Sequence, residues 1–295
     1  MECFIAAVPN DPDLAGFLGK KGSENGVTFY NRKVDDRFIT VLAPTNFEEK
    51  FYGAATGLLL ADVALISTAR IDKVFGESLV ACGLLGIKTL LTDDNDATDI
   101  VRGAGVPASI VSKDKLLDEI LKVKREKNSG SFKSIEVDKA FPVKGIGDVV
   151  LGMVTSGTIR KHDSLIHTSG KKIEIRSIQV QDNDMEEVPT GARIGIAVKG
   201  AEYSEIDKGT FISSERIEAR KETHAKITFS NFYDASTGSF EAVLVSGFSK
   251  SNVSAVREGD SWKLILAKAI PFRKDSRFML FKETQPRIFG VGTFQ

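Results

Sequence analysis

The chain has 295 residues, a length that suits two or three domains of ordinary size, each with its own buried core. Hydrophobic residues make up 42% and charged residues 27%, which is typical of a globular protein and excludes a disordered chain. The 40 basic residues balance the 40 acidic ones, so the net charge predicts no strong general attraction to DNA, to other nucleic acids or to a membrane.

The first part of the chain alternates short apolar segments with helical patterns. This alternation predicts βα units and a mostly parallel sheet, and therefore an α/β domain over residues 1–128. The predicted strands are residues 4–8, 38–42, 61–66, 89–91 and 109–111, and the predicted helices are residues 46–60, 73–85, 96–104 and 113–127.

A polar segment, residues 122–134, breaks this pattern and is predicted to be a linker. After it, strand patterns recur between turn signals, and isoleucines alternate with charged residues in the segment 173–178. Gly145 and Gly147 stand where a barrel strand is expected to bend sharply. These features predict a small closed β-barrel over residues 133–214.

The last segment, residues 218–295, is also predicted to be all-β. Its charge is the most uneven of the chain, because residues 215–295 carry 13 basic and 9 acidic side chains. Such a bias favours phosphate contacts, although an ordinary solvated surface explains it equally well. The clearest predicted strands here are residues 225–229, 241–245, 261–267 and 277–281.

The two cysteines, Cys3 and Cys82, lie in apolar contexts without metal-ligand spacing, so neither a disulfide framework nor a metal site is expected. The longest apolar run, residues 53–67, is interrupted by Asp62 and is too short to span a bilayer. The N-terminus lacks the basic and then apolar pattern of a secretion signal. A cytoplasmic protein that does not enter a membrane is expected.

The segment 138–213 resembles the second domain of the translational GTPases, and most closely that of the selenocysteine-specific elongation factor SelB. The resemblance implies an architecture like that of elongation factor Tu, with a P-loop-GTPase-like α/β domain followed by two small β-barrels. It rests on the sequences of residues 144–152, 175–180 and 191–195, and on residues 277–280 and 287–292, which resemble the last strands of the third domain.

The first domain resembles that of the same factors in eroded form. Residues 18–22, 27–31 and 84–88 are similar to SelB-like elongation-factor paralogues of methanogenic archaea. The signatures of a GTPase are nevertheless missing. A phosphate loop needs glycines, a lysine and a hydroxyl, whereas residues 9–16 contain two prolines that remove N–H donors and two aspartates that would repel a triphosphate.

The other two GTPase signatures are lost as well. Residues 42–46 keep only the proline of the Asp-x-Pro-Gly-His motif, and in residues 92–95 the base-reading carboxylate of Asn-Lys-x-Asp is the amide of Asn95. Thr28, aligned with the switch threonine that binds magnesium, is then a remnant. We therefore expect no catalytic residue and no nucleotide or metal cofactor. The alternative is a GTPase whose site for GTP and magnesium is rebuilt from unfamiliar residues.

The resemblance also implies where tRNA would be contacted, because the second domain of this family holds the 3′ end and the amino acid of the charged tRNA. Asp138, Lys139 and Arg193 fall where SelB-type factors place the charged residues of the aminoacyl pocket, and Lys139 replaces the arginine common there. Gln179 lies near the position whose side chain flanks the terminal adenosine. The alternative for each is a polar residue on the surface of a barrel strand.

The function expected from the sequence is that of a SelB-like factor that binds tRNA, aminoacyl-tRNA or the ribosome without hydrolysing GTP. Two alternatives remain open at this point. One is a GTP-binding elongation factor with an atypical site, and the other is a structural or regulatory subunit that uses its barrels only for protein contact.

Overall fold

The first part of the chain folds as a mixed sheet covered by helices. The computed structural model describes residues 1–46, 51–124, 131–234, 236–284 and 287–295. Its described residues form a seven-stranded sheet with the order β2-β3-β4-β1-β5-β6-β7, in which β4, β1, β5, β6 and β7 are parallel and β2 and β3 are antiparallel additions. The strands are β1 (Glu2–Ala7), β2 (Lys20–Glu24), β3 (Val27–Val34), β4 (Arg37–Pro44), β5 (Val63–Ile66), β6 (Lys88–Leu91) and β7 (Ala108–Ile110).

The helices of this α/β domain have clear local causes. The Asp72 side chain caps the third helix by accepting hydrogen bonds from the backbone N–H groups of Val74 and Phe75. The prediction of a helix over residues 73–85 is confirmed. The described helices are α1 (Pro12–Leu18), α2 (Phe51–Leu60), α3 (Lys73–Leu85), α4 (Thr98–Gly103) and α5 (Leu116–Leu121), and a 3₁₀ turn (Lys113–Lys115) precedes α5.

Three features of this domain differ from the sequence prediction. The pattern indicated neither α1 nor the hairpin of β2 and β3, because all five residues of β2 are exposed and show no apolar alternation. The last predicted helix, residues 113–127, is helical as far as α5, which ends at Leu121. Residues 125–130 of the predicted linker and residues 47–50 of the predicted second helix lie outside the described residues.

The first barrel, residues 134–213, contains the predicted alternation. Ile173, Ile175 and Ile178 point inward. A β-bulge between Ile175 and Ser177 shifts the inward positions of this strand from odd-numbered to even-numbered residues. Pairing of β11 with β12 closes the ring. The strands are β8 (Ser134–Val143), β9 (Gly147–Ser156), β10 (Ile159–Arg160), β11 (Ser164–His167), β12 (Lys172–Val180), β13 (Asn183–Met185), β14 (Glu187–Val188), β15 (Arg193–Lys199) and β16 (Phe211–Ser213).

The expected role of two glycines in this barrel is wrong. Gly145 lies in the exposed turn that joins β8 to β9, with a φ angle of 84°, and Gly147, with a φ angle of 102°, is the exposed first residue of β9, so neither bends the middle of a barrel strand. The irregularities of β8 are β-bulges near its start and between Val137 and Lys139. An inserted residue of this kind bends a strand without a glycine.

The second barrel, residues 219–294, is closed in the order β17-β20-β19-β18-β21-β22. The α/β sheet followed by two closed barrels confirms the predicted fold class. Strand β19 was not predicted, because Ser249 and Ser251 occupy inward positions where an apolar residue was expected. The strands are β17 (Ala219–Phe229), β18 (Ser239–Ser246), β19 (Ser249–Glu258), β20 (Ser261–Pro271), β21 (Arg277–Phe281) and β22 (Ile288–Phe294).

The α/β domain packs against both barrels through apolar side chains. Helices α2 and α3 share a hydrophobic core with the second barrel, in which the rings of Phe51 and Phe281 lie 5.8 Å apart. Cys3 and Phe38 belong to the core of the first barrel. In the part of the chain that the structure describes, no helix is long and apolar enough to cross a bilayer.

Candidate functional site

Two of the four residues predicted to contact tRNA form a buried ion pair. Asp138 on β8 and Arg193 on β15 lie on strands that flank β9, and the Nη2 atom of Arg193 is 2.6 Å from the Oδ2 atom of Asp138. Their side chains are 1% and 8% exposed. The alternative that these two residues are surface polar groups is therefore wrong.

The α/β domain supplies further contacts to this pair. Asn25, in the connection between β2 and β3, donates from Nδ2 to the backbone oxygen of Asp138 at 3.2 Å and to its Oδ1 atom at 3.4 Å. Arg193 donates to the Ser23 hydroxyl at 3.3 Å, and its guanidinium lies 3.9 Å from the centre of the Phe29 ring. The site predicted on the first barrel thus includes residues of the first domain.

The other two predicted residues lie elsewhere. Lys139 is exposed, and its Nζ atom lies 5.7 Å from the Phe141 ring centre. Gln179 is exposed on β12, where its amide donates to the Oδ1 atom of Asp184 at 2.8 Å. Neither side chain joins the buried pair in the described contacts, and a role of either in tRNA binding stays a prediction.

Besides Ser23 and Asn25, sequence reasoning missed three further side chains at this junction. Lys208 has its Nζ atom 3.3 Å from the Oδ1 atom of Asp138 and donates to the backbone oxygen of Asn25. Glu136, two residues before Asp138 on β8, accepts a 2.6 Å hydrogen bond from the backbone N–H of Phe248 in the second barrel. Tyr52 on α2 donates to the Phe248 oxygen at 2.8 Å.

Burial controls the electrostatics of this junction. Loss of solvent raises the pKa of Glu136 to about 8, against the opposing effects of the Phe248 hydrogen bond and the Lys208 charge. Burial also lowers the pKa of Arg193 and that of Lys208, and in both residues the carboxylate of Asp138 opposes the shift. The pKa of Tyr52 rises to about 12 because its hydroxyl is buried.

A cleft of about 880 Å³ opens beside this junction and is bounded by all three parts of the fold. Lys208 belongs to it, and Lys250 of the second barrel places its Nζ atom 5.1 Å from the ring centre of Tyr52. The charged and aromatic side chains that line the cleft are Tyr52, His167, Glu205, Asp207, Lys208, Arg216, Glu218, Phe248, Lys250 and Lys268. Lys208 pairs with Asp138 and Arg216 pairs with Glu218, so an anionic group such as a phosphate would meet Lys250 and Lys268.

At the edge of the α/β sheet where a nucleotide would sit, a side chain of the protein itself bonds to the backbone N–H groups. Helix α1 begins with Pro12, which has no N–H group, and the Asp11 carboxylate accepts hydrogen bonds from the N–H groups of Asp13 at 2.8 Å and Leu14 at 3.1 Å. A carboxylate of the chain itself thus takes the N–H donors that a bound phosphate would need.

Polar groups that follow neighbouring strands bond to each other at the same edge. Asn10 exchanges two hydrogen bonds with the backbone of Ser67. Asn95, in the predicted base-reading segment, donates to the backbone oxygen of Thr68 at 2.8 Å, and the Thr68 N–H donates to the Thr92 hydroxyl. These bonds join the loops after β1, β5 and β6, and they use the groups that would otherwise face a ligand.

The structure also shows the surroundings of Thr28 and the arrangement of the side chains that could bind a metal. Thr28 lies buried on β3, where its hydroxyl is 3.2 Å from that of Thr45. Among the residues that the structure describes, no group of three or more His, Cys, Asp or Glu side chains is placed to hold a metal ion.

Comparison with known proteins shows that this chain is similar to translation elongation factors. Residues 147–213 match the family model described as elongation factor Tu domain 2. The chain is similar to an uncharacterized protein of Methanocaldococcus jannaschii, with 28% identity over 288 residues that cover 93% of this chain and 94% of that protein. Its similarity to the selenocysteine-specific elongation factor of the same organism is 34% over 101 residues, which cover 34% of this chain and 21% of the factor.

The fold has a close counterpart among solved structures. The apo form of translation elongation factor SelB from Methanococcus maripaludis superimposes with a TM-score of 0.80 at 19% identity, covering 100% of this chain and 79% of that one. The arrangement of one α/β domain and two barrels is therefore that of an elongation factor of the Tu and SelB type.

Proposed function

We propose that this chain, a homologue of SelB with the fold of an elongation factor, binds tRNA, aminoacylated or free, or another part of the translation machinery, and does so without hydrolysing GTP. A contrast between two sites carries the proposal. The first barrel keeps a charged pair, Asp138 and Arg193, at the positions implied for cargo binding. The sheet edge expected to hold GTP has its donors taken by Asp11 and by bonds between its loops.

The Asp11 carboxylate argues against a bound triphosphate for two reasons. It accepts the N–H groups of Asp13 and Leu14, which would otherwise point at a phosphate. It also places a negative charge where the phosphate charge would lie, and two unit charges 4 Å apart repel by about 1 kcal/mol in water and by more in a protein environment. Nucleotide binding would require this cap to break.

Two exposed lysines of the cleft support RNA as the ligand. Lys250 and Lys268 are exposed on neighbouring strands of the second barrel, and Lys208 lies between them and the buried pair. Phosphate contacts by such lysines release counterions, which makes binding sensitive to salt. A factor of this kind lacks a hydrolysis step to time the release of its cargo, and it would sequester a charged tRNA, protect it, or act as a regulatory decoy at the ribosome.

The first test is filter binding of aminoacylated and deacylated tRNA over a salt series. We expect binding at low salt and a preference for the acylated form. The double variant Lys250→Ala/Lys268→Ala should lower the slope of log K against log salt by roughly 1.5, the value for two phosphate contacts. The matched control is Lys226→Ala/Lys274→Ala, two exposed lysines of the same barrel that do not line the cleft. Absence of binding at low salt would overturn tRNA as the ligand.

The second test is binding of labelled GTP with and without magnesium, for which we expect no saturable signal. Binding at micromolar concentration that requires magnesium would show a working nucleotide site and would replace the proposal by that of an atypical GTP-binding factor.

A further inference from the structure

The strand β2 and the residue that follows it cover the charged pair of the first barrel. Ser23 and Asn25 both reach across to this pair, and Lys208 holds the Asn25 backbone from the other side. With these contacts in place, Asp138 and Arg193 are 1% and 8% exposed. A ligand cannot touch either charge while the segment 23–25 occupies this position.

The covered site contains a donor without a partner. Within the described residues, the Nη1 atom of Arg193 is buried and makes no hydrogen bond. A buried guanidinium nitrogen of this kind is costly unless an acceptor reaches it during function. A ligand with an acceptor for Arg193 and a donor for Asp138 would satisfy both groups, and Asn25 already supplies the donor.

The covering segment is held weakly compared with the strand behind it. All five residues of β2 are exposed, it pairs with β3 in the described structure, and that pairing is irregular between Lys21 and Glu24. Phe29 on β3, in contrast, is 1% exposed and belongs to a core with Met153 and Phe248. Movement of residues 20–25 would leave Phe29 in place against the Arg193 guanidinium.

From these observations we infer that residues 23–25 form a displaceable plug, so that the chain's own hairpin occupies the ligand position over Asp138 and Arg193 and the ligand binds after the plug has moved. This inference rests on the proposed function for the identity of the ligand. The closure itself is a property of the protein alone and can be tested without any RNA.

The test on the protein alone uses Asn25→Ala, which removes both donations to Asp138, and Asn25→Asp, which also places a second carboxylate beside it. We expect hydrogen–deuterium exchange of amides 20–25 to accelerate at least tenfold, with β8 and β15 still protected. Phenylglyoxal, a reagent for arginine, should then modify Arg193 at a rate at least tenfold above that in the parent protein. The control Lys21→Ala removes an exposed side chain of the same strand, which forms an ion pair with Glu24. It should change neither the exchange rate nor the rate of Arg193 modification.

The test with ligand measures the same exchange in the parent protein saturated with aminoacyl-tRNA. Faster exchange of amides 20–25 in the complex, and tighter tRNA binding by Asn25→Ala than by Lys21→Ala, are the expected results. Equal or slower exchange in the complex would overturn the plug even though tRNA binds. If no tRNA binds to any variant, the proposed function fails, and the plug is judged by the Arg193 reaction, where an unchanged rate in both Asn25 variants overturns it.

Discussion

Arg193 and Asp138 come from two strands of one barrel, and their contact is completed by the ring of Phe29 from another domain. The guanidinium donates to the carboxylate at 2.6 Å and lies 3.9 Å from the ring centre. The pair therefore connects the outer face of the first barrel to the α/β domain.

Removal of one partner should destabilise the protein strongly. Asp138→Ala leaves the Arg193 charge buried, and loss of one partner from a buried pair typically costs about 3–5 kcal/mol. Urea unfolding measures the change, and Lys139→Ala, the neighbouring exposed lysine, should stay within about 0.5 kcal/mol of the parent protein. Equal unfolding midpoints for the two variants would contradict the burial of the pair.

The stability should depend on pH through Glu136. Its pKa is about 8 in the folded protein and near the ordinary 4.5 in the unfolded chain, so the folded state holds the extra proton between these values. The charges that act on it are those of Lys208 and Asp138. Its contribution is therefore complete below pH 4.5 and is lost as the pH rises toward 8, by about 1.4 kcal/mol for each pH unit.

The variant Glu136→Gln tests this dependence, because the amide oxygen can still accept from the Phe248 N–H but does not ionise. Between pH 6 and pH 8 we expect the parent protein to lose about 2 kcal/mol more free energy of unfolding than the variant does. Parallel pH profiles for the two proteins would show that Glu136 does not titrate in this range.

Two glycines in helices should respond to alanine with opposite signs. A Cβ atom on Gly53 of α2 would lie 2.5 Å from the Gly26 oxygen and 2.8 Å from the Pro44 Cα atom, so Gly53→Ala should destabilise by about 1–3 kcal/mol. A Cβ atom on Gly76 of α3 meets nothing within 4 Å, so Gly76→Ala should stabilise by about 0.5–1 kcal/mol. Thermal unfolding of both variants gives the comparison, and a stabilised Gly53→Ala would refute the close packing of α2.

A charged pair adds to the apolar contact between α3 and the second barrel. Arg287 donates from Nε to the Oε1 atom of Glu77 at 2.8 Å and from Nη2 to Oε2, and the side chains are 9% and 14% exposed. Glu77→Ala should lower the unfolding free energy by about 2–4 kcal/mol, since it removes the carboxylate bonded to a largely buried guanidinium. Glu218→Ala breaks a pair with Arg216 that is about half exposed, and it should change stability by less than about 1 kcal/mol. Similar losses in the two variants would contradict this difference.

The elements that the sequence predicted well carry their own local signals. Helix α3 matches its predicted bounds because Asp72 caps one end and Gly86 follows the other. Strand β2 has no apolar alternation to reveal it, and inward serines conceal β19. Local patterns therefore indicate the fold class and most strands, but they miss elements whose stability comes from contacts with the rest of the chain.

The candidate site was only half predictable for a similar reason. The resemblance to a known barrel indicated Asp138 and Arg193, but Asn25 precedes Asp138 by 113 positions and Ser23 precedes Arg193 by 170. No spacing rule connects residues so far apart, so their association and the burial of the pair emerge only from the folded chain.

The core shared by α2 and the second barrel has a consequence for biosynthesis. Phe281, against which Phe51 packs, is synthesised 230 residues after it (281 − 51). At a synthesis rate of about 5–20 residues per second, the apolar side of α2 remains without its packing partner for roughly 10–50 s. During that interval the nascent α/β domain presents an uncovered apolar surface, which is the kind of surface through which incomplete chains aggregate.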